Sequence, residues 1–66
     1  MTESFTRVND RRIVGEPHYR GRTPFIAEAR GSRGYGKSYC RSFADARKVA
    51  VIIAKQVGAP CEVLDF

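Results

Sequence analysis

This chain of 66 residues has few of the side chains that build catalytic or metal sites. It contains no tryptophan, one histidine (His18) and two cysteines (Cys40 and Cys61), without the C-x-x-C or Cys/His spacing typical of zinc sites. We therefore predict no metal ion, no cofactor and no disulfide framework, and we expect both cysteines to be small, partly buried apolar side chains. His18 follows Pro17 and is expected to lie in a turn.

Long apolar runs are missing as well. Nothing approaches the roughly 18 residues of a membrane span, and the stretch MTESFTRVNDRR lacks the apolar core of a signal peptide. We expect a cytoplasmic protein that does not associate with membranes.

The length predicts a single domain over residues 1–66, which buries only about 60% of its unfolded surface. Because a large active-site cavity is not expected in so small a domain, we predict no enzyme activity and no catalytic residues.

Acidic side chains are scarce in one segment of the chain. Residues 17–42 contain one acidic residue, Glu28, against six basic ones: Arg20, Arg22, Arg30, Arg33, Lys37 and Arg41. The rest of the chain carries equal numbers of basic and acidic residues, so the formal net charge of +5 arises entirely from this segment. A localised positive field attracts polyanions, which predicts DNA, RNA or an acidic protein surface as the partner.

The clearest element is a helix over residues 43–57. Ser42 and Asp45 match a capping box, Gly58 suits a left-handed C-terminal cap, and Pro60 prevents continuation. Helical spacing predicts a buried stripe of Ala46, Val49, Ala50, Ile53 and Val57. Because Val51, Ile52 and Ala54 widen this apolar arc, the helix is either well buried in the core or contributes to a homodimer surface.

The remaining segments read as strands. The runs TPFIAEAR and GKSYCRSF, joined by the glycine-rich GSRGYG, predict a hairpin. RRIVGE is a further predicted strand that pairs with SFTRV, and CEVLDF is a short final strand. The prediction is an α+β fold with a small antiparallel sheet of three to four strands and one helix packed on one face, in the order β-β-β-α-β.

Alternation along the strand at residues 37–43 places Lys37, Tyr39 and Arg41 on an outward face and smaller side chains under the helix. Cations neutralise phosphates and aromatic rings stack on unpaired bases, so this composition is typical of a nucleic-acid surface. The predicted binding residues are Arg20, Arg22, Arg30, Arg33, Tyr35, Lys37, Tyr39 and Arg41. The alternative is a solvated sheet face that is kept soluble by its charge.

The stretch GSRGYGKS also satisfies the P-loop pattern, from Gly31 to Ser38. A working P-loop leads from a strand into a helix within a parallel sheet, whereas here Lys37 opens a predicted strand. We therefore expect no nucleotide binding.

The strands followed by GKSYCRSF and a helix beginning ADARKVA resemble the arm-type DNA-binding domains of phage and transposon integrases, which are similar to ethylene-response domains. The resemblance covers about residues 23–57. It implies a three-stranded sheet laid against DNA, with Phe43 and Ala46 as packing residues and Lys37, Tyr39 and Arg41 on the DNA-facing strand. The chain differs from that family in its CEVLDF segment and in having no recombinase domain within these residues.

A second function remains open from the sequence. Small proteins with one helix on a sheet also occur among phage-encoded inhibitors of host machinery, such as anti-CRISPR proteins, which block a protein surface. That function predicts an exposed apolar patch formed by residues such as Ile52, Tyr19 or Phe66.

Overall fold

A computed structural model describes residues 3–65, with no side-chain description for residue 65. Its elements are β1 (Phe5–Asp10), α1 (Arg11–Val14), β2 (Phe25–Gly31), β3 (Gly34–Cys40), α2 (Phe43–Val57) and β4 (Leu64–Asp65). Strands β1, β2 and β3 form an antiparallel sheet on which α2 packs, so the predicted α+β class is confirmed. The sheet order is β3-β2-β1-β4. Within the described part of the chain, no helix is long and apolar enough to cross a membrane.

Helix α2 has the predicted bounds because both of its caps form. The Asp45 backbone N–H donates to Ser42 Oγ at 3.1 Å, which satisfies one of the donors left open at a helix N-terminus. At the other end Gly58 adopts φ 76°, and its N–H donates to the Ala54 carbonyl. Glycine reaches this left-handed conformation without steric cost, so the helix stops there.

The most deeply buried positions of α2 are alanines. Ala46, Ala50 and Ala54 are fully buried, whereas the larger predicted core residues Val49, Ile53 and Val57 are only half-buried. Small side chains at four-residue intervals let the helix approach the sheet closely. The close approach continues on the sheet side, where a Cβ placed on Gly36 would lie 2.6 Å from Ile53 Cγ2.

The core lies between α2 and the three long strands. Its buried members are Val8, Ala27, Cys40, Ala46 and Ala50, with Phe25, Val49 and Val63 packed against them. Cys40 is buried as expected, and this burial raises the pKa of its thiol. Cys61 is exposed, so its predicted partial burial is wrong.

The predicted strand RRIVGE is wrong. The Asp10 carboxylate accepts the backbone N–H of Arg12 at 2.9 Å and also pairs with the Arg12 guanidinium, which starts the four-residue helix α1 at Arg11. Strand β1 pairs instead with β2, in a register that sets Thr6 beside Ala29 and Val8 beside Ala27. These four buried side chains all face α2, so burial of apolar surface favours this pairing.

The bounds of the hairpin and of the last strand also differ from the prediction. Strand β3 begins at Gly34 and ends at Cys40, which leaves Ser32 and Arg33 as the turn and places Arg41 beyond the strand. Within the described part of the CEVLDF segment, residues 61–65, a strand forms at Leu64–Asp65 and runs parallel to β1. The predicted sheet, antiparallel throughout, is therefore a mixed one.

Candidate nucleic-acid interface

The sheet has two chemically different faces. One is covered by α2, as the buried positions of Val8, Ala27 and Cys40 against Ala46 and Ala50 establish. Side chains alternate along each strand, so the intervening residues project from the opposite face, which we call the outer face. Its positions are Phe5, Arg7 and Asn9 on β1, Ile26, Glu28 and Arg30 on β2, and Tyr35, Lys37 and Tyr39 on β3.

The register aligns the outer-face residues in three cross-strand rows. The first row is Tyr35, Arg30 and Phe5; the second is Lys37, Glu28 and Arg7; the third is Tyr39, Ile26 and Asn9. Cations thus lie beside aromatic rings both across neighbouring strands and along one strand. The Arg30 guanidinium carbon lies 5.0 Å from the Tyr35 ring centroid, and that of Arg7 lies 4.5 Å from the Phe5 centroid.

Glu28 is the one acidic side chain at these nine positions, and its carboxylate accepts hydrogen bonds from other side chains of the outer face. It is only 7% exposed. Its Oε1 accepts from Arg7 Nε at 2.5 Å and from Asn9 Nδ2 at 3.2 Å, and its Oε2 accepts from the Tyr35 hydroxyl at 2.6 Å. Burial by itself would raise the pKa of Glu28, but the hydrogen bonds from Tyr35 and Arg7 outweigh burial and hold the pKa below its usual value.

The same network fixes Tyr35. Burial, followed by the hydrogen bond to Glu28, raises the pKa of Tyr35 to about 12, so the phenol stays protonated and donates to the carboxylate. Because the Tyr35 hydroxyl donates to Glu28 on the neighbouring strand β2, the Tyr35 side chain extends from β3 toward β2. Even so, 45% of the Tyr35 surface remains exposed.

A second cluster borders the outer face beside Tyr39. The Arg11 guanidinium carbon lies 3.8 Å from the Tyr19 ring centroid and 4.3 Å from that of Tyr39. Arg11 also donates to both carboxylate oxygens of Glu16, at 2.9 and 3.0 Å. Tyr19 is held in turn by Thr23, whose backbone N–H donates to the Tyr19 hydroxyl. These contacts attach the 15–24 connection, which the sequence predicts to be irregular, to the edge of the outer face.

The structure brings some of the predicted binding residues together and separates others. Arg30, Tyr35, Lys37 and Tyr39 share the outer face. Arg20 and Arg22 are exposed on the 15–24 connection, and Arg41 is exposed after the end of β3. The basic segment 17–42 therefore does not present all its charge on one surface.

Arg33 lies apart from the outer face, at the C-terminal end of α2. Its backbone N–H donates to the Val57 carbonyl at 2.8 Å, and its Nη2 donates to the Lys55 carbonyl at 2.8 Å. A cation that donates to the last carbonyls of a helix complements the negative end of the helix dipole. The geometry thus gives Arg33 a structural contact with α2.

The predicted binding residues do not include Phe5 and Arg7 on the outer face or Arg11 at its border. The signal in the sequence is the alternation F-T-R-V-N at residues 5–9, which places Phe5, Arg7 and Asn9 on one face. The predicted pairing of this stretch with RRIVGE does not connect Arg7 with the hairpin. Arg11 could be found only from the tertiary contacts of α1.

The stretch that matches the P-loop pattern forms the β2–β3 hairpin. Lys37 and Ser38 lie within β3 on opposite faces of the sheet, and neither lies at a helix N-terminus. The described residues contain no group of three or more His, Cys, Asp or Glu side chains able to hold a metal ion.

Comparison with known proteins adds no family assignment, because no family model, curated protein or solved structure gave a significant match to the chain.

Two of the apolar residues named for an inhibitor surface, Ile52 and Tyr19, do not share one patch. Ile52 is 56% exposed on α2, which covers the inner face of the sheet. Tyr19 lies beside the outer face through its contact with Arg11, and Phe66 lies outside the described residues. Ile52 and Tyr19 are therefore on opposite sides of the sheet.

Proposed function

We propose that this protein binds nucleic acid through the outer face of its sheet. The observation that carries the proposal is the composition of nine aligned positions: three basic residues, three aromatic rings and one carboxylate whose hydrogen bonds are made within the face. Arg7 balances the charge of Glu28. Arg30 and Lys37 form no ion pair with a carboxylate among the described side chains, so their charge is available to phosphates.

The arm-type resemblance supports the same function. Three antiparallel strands precede α2, of which β2 and β3 lie within residues 23–57, and Lys37 and Tyr39 project from the face opposite the helix. Ala46 is fully buried, and Phe43 packs edge-on against Phe25 with ring centroids 5.9 Å apart. Arg41 lies beyond the end of β3, so its contact with DNA would come from the rim of the face.

Salt dependence of binding tests this proposal. We expect the protein to bind both single-stranded and duplex oligonucleotides at about 50 mM salt, with log affinity falling by about 0.7 to 0.9 for each phosphate contact per decade of salt. The double variant R30Q/K37Q should flatten that slope by up to two contacts' worth. Fluorescence anisotropy with a labelled oligonucleotide measures the slope.

The matched control is K48Q/K55Q, which removes the same charge from exposed positions on α2. It should leave the slope close to that of the wild-type protein. Equal flattening by both double variants would mean that net charge, and not the outer face, determines binding. Absence of any binding by the folded protein at about 50 mM salt would contradict the proposal and favour an inhibitor that binds a protein surface.

A further inference from the structure

Two exposed tyrosines lie on the same side of the edge strand. Tyr35 and Tyr39 are four residues apart on β3, so their Cα atoms are separated by about 13 Å, with Lys37 between them on the same face. Strand β3 is the first in the sheet order, and no other described strand pairs with its free edge. The outer face therefore has a ring, a cation and a ring in line along its border.

Both rings are held in place before any ligand arrives. The Tyr35 hydroxyl is bonded to Glu28, and the Tyr39 ring packs on Arg11, which is itself fixed by Glu16. Groups that are already ordered lose little conformational entropy on binding. Arg30 lies over the Tyr35 ring, and Arg11 and Lys37 lie over the Tyr39 ring. Even with these contacts, Tyr35 is 45% exposed and Tyr39 is 44% exposed, so each residue keeps accessible surface beside the cations.

This pattern distinguishes between forms of nucleic acid. Bases within a duplex are stacked on one another and offer proteins their edges and phosphates, whereas unpaired bases offer their faces to aromatic side chains. Cations alone would serve both forms, because both carry phosphates. The tyrosines add a contribution that only unpaired bases can receive.

Resting on the proposed nucleic-acid function, we propose that the ligand is a single strand that runs along β3. Two of its bases stack on Tyr35 and Tyr39, and Lys37 neutralises phosphate between them. The chemistry is shared by single-stranded DNA and RNA, since both offer unpaired bases and phosphates.

The experiment compares four labelled ligands by fluorescence anisotropy: a mixed-sequence single-stranded DNA, the corresponding RNA, the DNA duplex, and a single strand of equal length with abasic sites. The variant Y39L replaces the ring with an aliphatic side chain. We expect Y39L to weaken binding of the single strands by about 5- to 150-fold, as the loss of one stacked base predicts. Y39F should restore that affinity, because it keeps the ring.

Three comparisons make the result specific. Y39L should leave duplex and abasic binding nearly unchanged, since these rest on phosphates. Y35L should weaken single-strand binding as well, while F43L, which removes a partly exposed ring at the first residue of α2, should not. Circular dichroism of each variant establishes that it is folded.

The outcomes separate this inference from the proposed function. If the wild-type protein binds duplex and abasic strands as tightly as intact single strands, and Y39L changes none of them, stacking is wrong while nucleic-acid binding stands. If no ligand binds at about 50 mM salt, both proposals are wrong. Equal weakening of the DNA and RNA single strands by Y39L would support stacking, because both offer unpaired bases to the ring.

Discussion

Gly36 is a position where β3 and the side chains of α2 approach each other closely. A Cβ at this position would lie 2.6 Å from Ile53 Cγ2, closer than real Cβ atoms approach a carbon. Gly31, in the same hairpin, would bring a Cβ within 2.3 Å of the Val57 carbonyl oxygen. Neither glycine has a positive φ, so it is the space beneath the helix, and not backbone conformation, that these two positions require.

Replacing Gly36 with alanine should therefore destabilise the fold by about 1–3 kcal/mol, the usual cost of overpacking a core. Gly31→Ala should cost more than Gly36→Ala, because its neighbours are backbone atoms of the α2 terminus that cannot rotate away. Urea unfolding followed by circular dichroism measures both changes.

Gly15 provides the control for these substitutions, because a Cβ there would have no neighbour within 4 Å. Gly15→Ala should leave the free energy of unfolding within about 0.5 kcal/mol of the wild-type value. If Gly36→Ala proved equally neutral, the close packing of α2 on β3 would be wrong.

At the scale of elements, α2 is stabilised at both ends by different parts of the chain. Ser42 caps its N-terminus from the adjoining turn, whereas Arg33 reaches its C-terminal carbonyls from the β2–β3 turn. The second contact joins the hairpin to the helix. The backbone next to this turn passes directly against Val57 and Gly58, which leaves no room for a side chain at Gly31.

Removing the N-cap provides a test of the first contact. Ser42→Ala should lower the free energy of unfolding by about 0.5–2 kcal/mol, because the Asp45 N–H loses its acceptor. Ser42→Asp should recover most of that loss, since aspartate accepts the same hydrogen bond. The control is Ser4→Ala, at an exposed position ahead of β1, and thermal melts of the three variants should separate Ser42→Ala from the other two.

Glu28 connects all three long strands of the sheet. It lies on β2 and accepts hydrogen bonds from Arg7 and Asn9 on β1 and from Tyr35 on β3. The carboxylate therefore has a structural role beneath a basic surface as well as an electrostatic one. Because its pKa is lowered in the folded state, its contribution to stability is present above its usual value of 4.5 and is lost as pH falls through the folded pKa.

We expect thermal stability to decline as pH is lowered from about 5 toward 3, partly through protonation of Glu28. Glu28→Gln should be less stable than wild type at pH 7 by about 1–3 kcal/mol, because glutamine can satisfy fewer of the donors that converge there. The melting temperature of the variant should also depend less on pH, so the melting temperatures of the two proteins should converge at low pH.

Glu62→Gln is the matched control, since this side chain is exposed. It should follow the wild-type melting temperature across the same pH range. A Glu28→Gln variant with unchanged stability at pH 7 and unchanged acid dependence would contradict the role given to the Glu28 network.

Local patterns in the sequence are enough to predict α2, the hairpin and the outward positions of Lys37 and Tyr39. These features depend on local physics: a capping serine, a glycine in the left-handed conformation, helical spacing of apolar residues, and alternation along one strand. The predicted loop GSRGYG is longer than the observed turn, which has only two residues. Gly31 and Gly36 belong to the strands, where the absence of a side chain allows close packing against α2.

The tertiary structure decided which residues share a surface. Pairing of β1 with β2 joins segments separated by about twenty residues, and it brought Arg7 to the outer face beside Glu28. Tertiary contacts also place Arg33 at the C-terminal end of α2 and Arg11 beside the rings of Tyr19 and Tyr39. Net charge is additive along a chain, but the position of each charge depends on non-local burial and strand register, which no local pattern in the sequence records.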